Sequence, residues 1–187
     1  DADLLGTAGI VYHAPADATR TTLQDGSIDV VFSNSVLEHV DPALLPTLMR
    51  ESRRLVGTRG VCLHAVACND HYAHFDRAVS FVHYLQFDAR QWRKWNNALN
   101  YQNRLRAPDF IAAAREAGLE VVHEERAVRP GSREALAAMR VAPEFASYAA
   151  DEAPAVRAEH KAQFLARQSG SADADFERLF PPGFFGH

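Results

Sequence analysis

Two apolar runs joined by one punctuated helix constrain this chain more than any other feature of it. Residues 28 to 32 (IDVVF) are nearly continuous in apolar side chains. A run without alternation suits a strand covered on both faces, as in a parallel sheet. Ser33, Asn34 and Ser35 break it. Asp41 then stands where a carboxylate caps the first amides of a helix, and Pro42 suits the first helical position. Leu44, Leu48, Ser52 and Leu55 fall on one face, with Leu45 and Met49 beside them. Gly57 supplies a left-handed stop, and residues 61 to 67 (VCLHAVA) form the next strand.

The same rhythm extends in both directions. Residues 9 to 14 (GIVYHA) predict a short strand that leads into a polar loop from Asp17 to Gly26. Residues 70 to 106 are long, aromatic and polar, and predict helix in pieces, with Trp92, Trp95 and Leu99 at helical spacing. Pro108 opens a helix whose Phe110, Ile111, Ala114 and Ala117 share a face; Gly118 ends it, and residues 119 to 122 resume a strand. Short helices are expected at 133–139 and 144–149, and an alternating strand at 161–167. Strand, helix, strand, excursion, helix, strand is the order of an open α/β sheet with right-handed crossovers. Ligands of such sheets sit outside the carboxyl ends of the strands, which directs attention to the loops after His13, Phe32 and Ala67.

Composition narrows the partners. The 187 residues, 47% hydrophobic and 24% charged, suit one soluble globular domain. A formal net charge of -4 favours neither nucleic acid nor an anionic membrane. Cys62 and Cys68 lie along one predicted strand, roughly 20 Å apart, too far for a disulfide, so a reduced, cytoplasmic setting is expected. No G-x-S-x-G elbow, C-x-x-C pair or P-loop is present.

Residues 16 to 40 (ADATRTTLQDGSIDVVFSNSVLEHV) resemble the class I methyltransferases that use S-adenosylmethionine (SAM), in particular the type 11-like small-molecule group. The following SRRLVGTRGVCLHAV is similar to that family's glycine turn into its fifth strand, and DHYAHFD to a subgroup of bacterial methyltransferases. The resemblance implies a Rossmann-like sheet and SAM as cofactor. It assigns Asp17 as acceptor for the adenine amine, with the amide of Ala18 toward the ring. Ser33, Asn34 and Ser35 would line the methionine end. Asp70, His71 and Tyr72 fall on the acceptor side, and His71, then His39 and His74, are the candidate bases. The implied reaction, assigned to the parent protein, is methyl transfer to a small-molecule or glycan acceptor, with no nucleic acid and no membrane as partner and a homo-oligomer left open; the 187-residue chain by itself is expected to be inactive and to bind SAM poorly.

One departure is large. The family holds SAM chiefly through a glycine-rich loop after its first strand, and no G-x-G occurs anywhere in this chain. The expectation is an incomplete sheet lacking the first two strands: a partial methyltransferase domain over residues 1–168, with a helical lid at 70–106, then a tail at 169–187. A non-catalytic, degenerate module for partner binding or oligomerisation is the alternative. His71, His74 and His83 with Asp70 and Asp76 also admit a metal reading, since His71 and His74 can share a helix face; a substrate-facing role without metal is preferred. Arg90, Arg93, Lys94, Arg104 and Arg106, interleaved with Trp92, Trp95 and Tyr101, admit a nucleic-acid patch, but a lid with an apolar inner face accounts for the same string.

Overall fold

The computed structural model describes residues 6–147 and 159–170. Four strands form one mixed sheet: β1 (Val30–Asn34), β2 (Val61–Ala67), β3 (Leu119–Val128) and β4 (Glu159–Gln168), in the order β1-β2-β4-β3. β1 and β2 run parallel, with Val30 opposite Val61. β4 enters between β2 and β3 and is antiparallel to both. Its residues Ala162, Phe164, Leu165 and Ala166 are all buried, which a central strand requires.

Helix α1 (Leu45–Val56) and helix α3 (Ala107–Glu116) cover one face of the sheet; the short α2 (Ala89–Trp92) lies between them in sequence, and α4 (Ser132–Ala137) follows β3. Met49, Val56, Phe110, Ala114, Cys62, Val66 and Phe164 interlock in the main core. The opposite face carries a smaller cluster, Val61 and Leu165 with Val30, Leu63 and Val122 packed against them.

Three expectations needed correction. The segment 10–14 forms no strand: Ile10, Val11 and Tyr12 are 52%, 75% and 77% exposed. An extended apolar segment needs a paired neighbour to satisfy its backbone, and the chain pairs none with it among the described residues. Helix α1 begins at Leu45 rather than Pro42, because Pro46 in its first turn has no amide to bond back toward residue 42. Asp41 accordingly closes a turn on the amide of Ala43 (2.9 Å). The buried stripe is centred on Leu45 and Met49, leaving Leu44 51% exposed. The lid is far less helical than expected, with single turns at His71–His74 and His83–Gln86 and the four-residue α2. Asp70, Asp76 and Asp88 each accept an amide two or three residues on, and such local bonds compete with helix.

The lid nevertheless has a core of its own. Val82, Tyr84, Leu85 and Trp92 pack with Ala142 and Phe145, and the amide of Ala142 donates to Leu85 O (2.8 Å). The segment 171–187 and residues 148–149 of the expected second short helix lie outside the described residues. β2 and its exit place Cys62 and Cys68 as buried free thiols. No described helix is long and apolar enough to cross a membrane.

The glycine turn before β2 is sterically fixed. A Cβ on Gly60 would stand 2.5 Å from Ile28 O and 2.7 Å from Asp29 O, and one on Gly57, at φ 56°, would stand 2.9 Å from Gly26 Cα. Only glycine lets the loop before β1 lie this close to the entry of β2.

Candidate functional site

Three segments converge beyond the carboxyl ends of β1 and β2. The first is the turn Leu37–His39, which leaves β1 through Ser35, a residue at φ 54° whose amide donates to Ala65 O (2.9 Å). The second is Asn69 to His74 after β2. The third, residues 101 to 103 at the end of the lid, stitches the other two together. Asn103 Nδ2 donates to both Leu37 O and Val40 O (2.8 Å each), and its amide donates to Glu38 O (2.7 Å). His71 N donates to Gln102 Oε1 (3.3 Å). His39 Nδ1 lies 2.6 Å from Tyr101 O. A carbonyl can only accept, so Nδ1 carries a proton, and in the neutral imidazole Nε2 keeps its lone pair.

The imidazoles form a short row. His39 and His71 ring centroids are 5.0 Å apart, and His71 and His74 are 5.8 Å apart. His74 Nε2 lies 3.2 Å from Asn69 Oδ1, to which it donates. Burial holds the His71 imidazole down to about 4, helped by its two neighbours in the row. Glu38 stands beside this row at 2% exposure, and neither of its carboxylate oxygens makes a hydrogen bond among the described residues. Burial pushes its carboxyl above the usual range; its own amide, His39, the Ala67 amide and the Ser35 hydroxyl temper that shift without bonding geometry. Asp70 is fully buried, accepts from Tyr72 N (2.9 Å) and from His83 Nδ1 (3.3 Å), and is also pushed up by burial.

A cavity of about 260 Å³ opens behind Tyr72, walled by Phe75, Phe87, Trp92 and Trp95, with Asp70, Asp76 and His83 at its polar side. Two cations of the supposed basic patch face inward here. Arg106 is fully buried, donating to Cys68 O (2.6 Å) and Tyr84 Oη (2.8 Å). Arg104 donates to Tyr84 O and Phe87 O and lies over the rings of Trp92 and Phe145. Both therefore hold the lid together.

The residues expected around SAM are arranged differently. Asp17 is exposed, and Thr19, through hydroxyl (2.7 Å) and amide (2.9 Å), keeps its carboxyl below the usual range. Its loop is tied to α1, where Thr21 Oγ1 and N donate to Glu51 Oε1 (2.7 and 2.8 Å). Ala18, Asn34 and Ser35 are exposed. Ser33 is half-buried, its Oγ 2.8 Å from Nδ1 of the buried His64. The residues present fit one flank of an adenosyl ligand: an ionised acceptor at Asp17 and small open residues at the β1 exit. They do not enclose one. Sequence reasoning found the histidines but gave Glu38 no role of its own, placed Tyr101 in a basic, aromatic string and passed over Gln102 and Asn103. Glu38 had a signal, its place beside His39; the lid residues had none.

A sequence model of a family described as methyltransferase domain matches residues 7–124. No curated protein matches the chain significantly. Among solved structures, the chain resembles geranyl diphosphate C-methyltransferase from Streptomyces coelicolor A3(2) at TM-score 0.54 and 14% identity, covering 89% of this chain and 57% of that one. It also resembles a sarcosine dimethylglycine methyltransferase, so described provisionally, from Galdieria sulphuraria at TM-score 0.53 and 15% identity, covering 90% of this chain and 64% of that one. This chain thus spans less than two thirds of either relative, and at such identities the likeness is one of fold, a Rossmann-like α/β sheet.

Proposed function

Because this chain belongs to the methyltransferase-domain family, we propose that it serves SAM-dependent methyl transfer to a small-molecule or glycan acceptor. The observation that carries the reading is the convergence at the carboxyl ends of β1 and β2, where the sheet presents an ordered row of imidazoles. Ligands of open α/β sheets bind at that edge.

SAM, when bound, supplies a methyl group already activated by its sulfonium, which leaves the protein to position and shield the reactants. Asp17 offers an ionised oxygen to an adenine amine, and the Ala18 amide stands beside it. Ser33, Asn34 and Ser35 flank the methionine end, their small side chains permitting close backbone approach. Asp70, His71 and Tyr72 face the acceptor, and the aromatic cavity behind Tyr72 excludes water from an apolar part of it. A hydroxyl acceptor needs a base. His71 is weakened as a base by burial, so His39, with Nδ1 fixed by Tyr101 O and Nε2 free, takes precedence, and His74 follows.

The test is mass-spectrometric screening of the full-length protein with isotopically labelled SAM against metabolite and glycan extracts. The expected result is a product carrying the labelled methyl, lost in His39→Ala. Failure to label any extract while SAM binds would favour the alternative, a degenerate module for partner binding or oligomerisation. The exposed Phe32 on β1, at 75%, is what supports that alternative.

A further inference from the structure

From the geometry at the β1 exit we propose that Glu38, His39 and His71 form a binding site for a divalent transition metal of the zinc class. One donor atom from each residue lies within 4.8 Å of the other two. That spacing needs only small side-chain adjustment to bring three ligands onto one ion at ordinary bond lengths of roughly 2.0–2.2 Å.

Two further observations point to a ligand. The first is the Glu38 carboxylate, at 2% exposure, with both oxygens lacking a hydrogen bond among the described residues. Leaving a buried carboxylate unpaired is costly, and a cation at its mouth removes that cost. The second is the His39 tautomer. Its Nδ1–H is spent on Tyr101 O at 2.6 Å, which leaves Nε2 as a lone-pair donor. A histidine whose far nitrogen is held by a backbone carbonyl is the usual outer-shell arrangement of a metal ligand.

The surrounding frame is rigid. Asn103 pins the turn that carries Glu38 and His39 through three hydrogen bonds, at 2.8, 2.8 and 2.7 Å. Gln102 holds the backbone of His71. Preorganised ligands of this kind lose little freedom when an ion binds. Two imidazoles and one carboxylate suit zinc, cobalt or iron(II) better than magnesium or calcium, which take oxygen ligands. Three protein ligands leave coordination positions open, as catalytic rather than structural sites do. The site stands on its own geometry; under the methyl-transfer reading it would lie on the acceptor side, where an ion acts as a Lewis acid on an acceptor oxygen and, by occupying the Nε2 lone pair of His39, replaces that residue as the base.

The 187-residue chain itself is the material for the test, without SAM or acceptor, so that the outcome is independent of methyl transfer. Co²⁺ is titrated into the metal-free protein and followed by calorimetry and visible absorption, with Zn²⁺ as competitor. One Co²⁺ per chain is expected, displaced by Zn²⁺. Glu38→Gln, His39→Ala and His71→Ala should each weaken binding by at least about tenfold, while His13→Ala leaves it unchanged. In the unmutated chain, bound Co²⁺ should shift the NMR ring-proton signals of His39 and His71 and spare those of His13, a readout that does not depend on any variant folding. Absent binding, binding indifferent to all three substitutions, or shifts centred on other histidines would each overturn the proposal.

Discussion

The two flanks of the candidate site are built to different degrees. On the acceptor flank, β2 is paired on both sides, its exit is capped by the buried Asp70, and residues 101–103 lock the two strand exits together. On the cofactor flank, β1 ends in exposed residues, Asp17 bonds only within its own turn, and Ile10, Val11, Tyr12 and Phe32 stand in solvent. The difference teaches that a strong apolar run is not enough to make structure. IDVVF and GIVYHA are similar in character, yet only the first has a neighbour that pairs with its backbone, and even there Phe32 stays exposed.

Breaking the built flank should have the largest effect. Arg106→Ala removes donors to Cys68 O and Tyr84 Oη from the fully buried joint between lid and β2. A loss of roughly 3 kcal/mol or more is expected from the cavity and the stranded acceptors, measurable by urea denaturation. A change of a few tenths would mean that the lid is only loosely joined to the sheet.

The next effect is one of pH. Burial holds the His64 imidazole down to about 4, below its ordinary value of 6.5. The folded chain therefore keeps His64 neutral where the unfolded chain takes up a proton. Its contribution is complete above about pH 6.5 and is lost as the pH falls toward 4, by up to roughly 3 kcal/mol. Denaturation midpoints across that window should show the decline, and His64→Asn should flatten it.

Gly60→Ala sharpens the comparison at the sheet entry, where the added Cβ meets Ile28 O and Asp29 O. Overpacking against backbone should cost roughly 1–3 kcal/mol in the same assay. The smallest effect belongs to the open flank. Phe32→Ser should leave stability within about 0.5 kcal/mol while reducing self-association in sedimentation, because it removes an exposed apolar group beside a strand edge. A large loss of stability there would show that the open flank is covered after all.

Much of the frame was legible before any coordinates. β2 matches its predicted bounds, α3 carries its predicted face, and Gly57 and Gly118 end their helices at positive φ. Of the site, His39, His71 and His74 were visible as chemistry-bearing residues, and they do form one row. The lid was misjudged because aspartates that cap local turns also interrupt helical spacing without disturbing the apolar count.

The sequence by itself determined where strands and helices lie, since apolar spacing, prolines and glycines act on residues a few positions away. Only the tertiary structure decided that β4 enters antiparallel between β2 and β3, that the Glu38 carboxylate is buried with no hydrogen bond among the described residues, and that Tyr101 meets His39 across 62 residues of chain. Those contacts depend on which strands pair and in what register, and local spacing carries no record of a neighbour that the fold alone brings near.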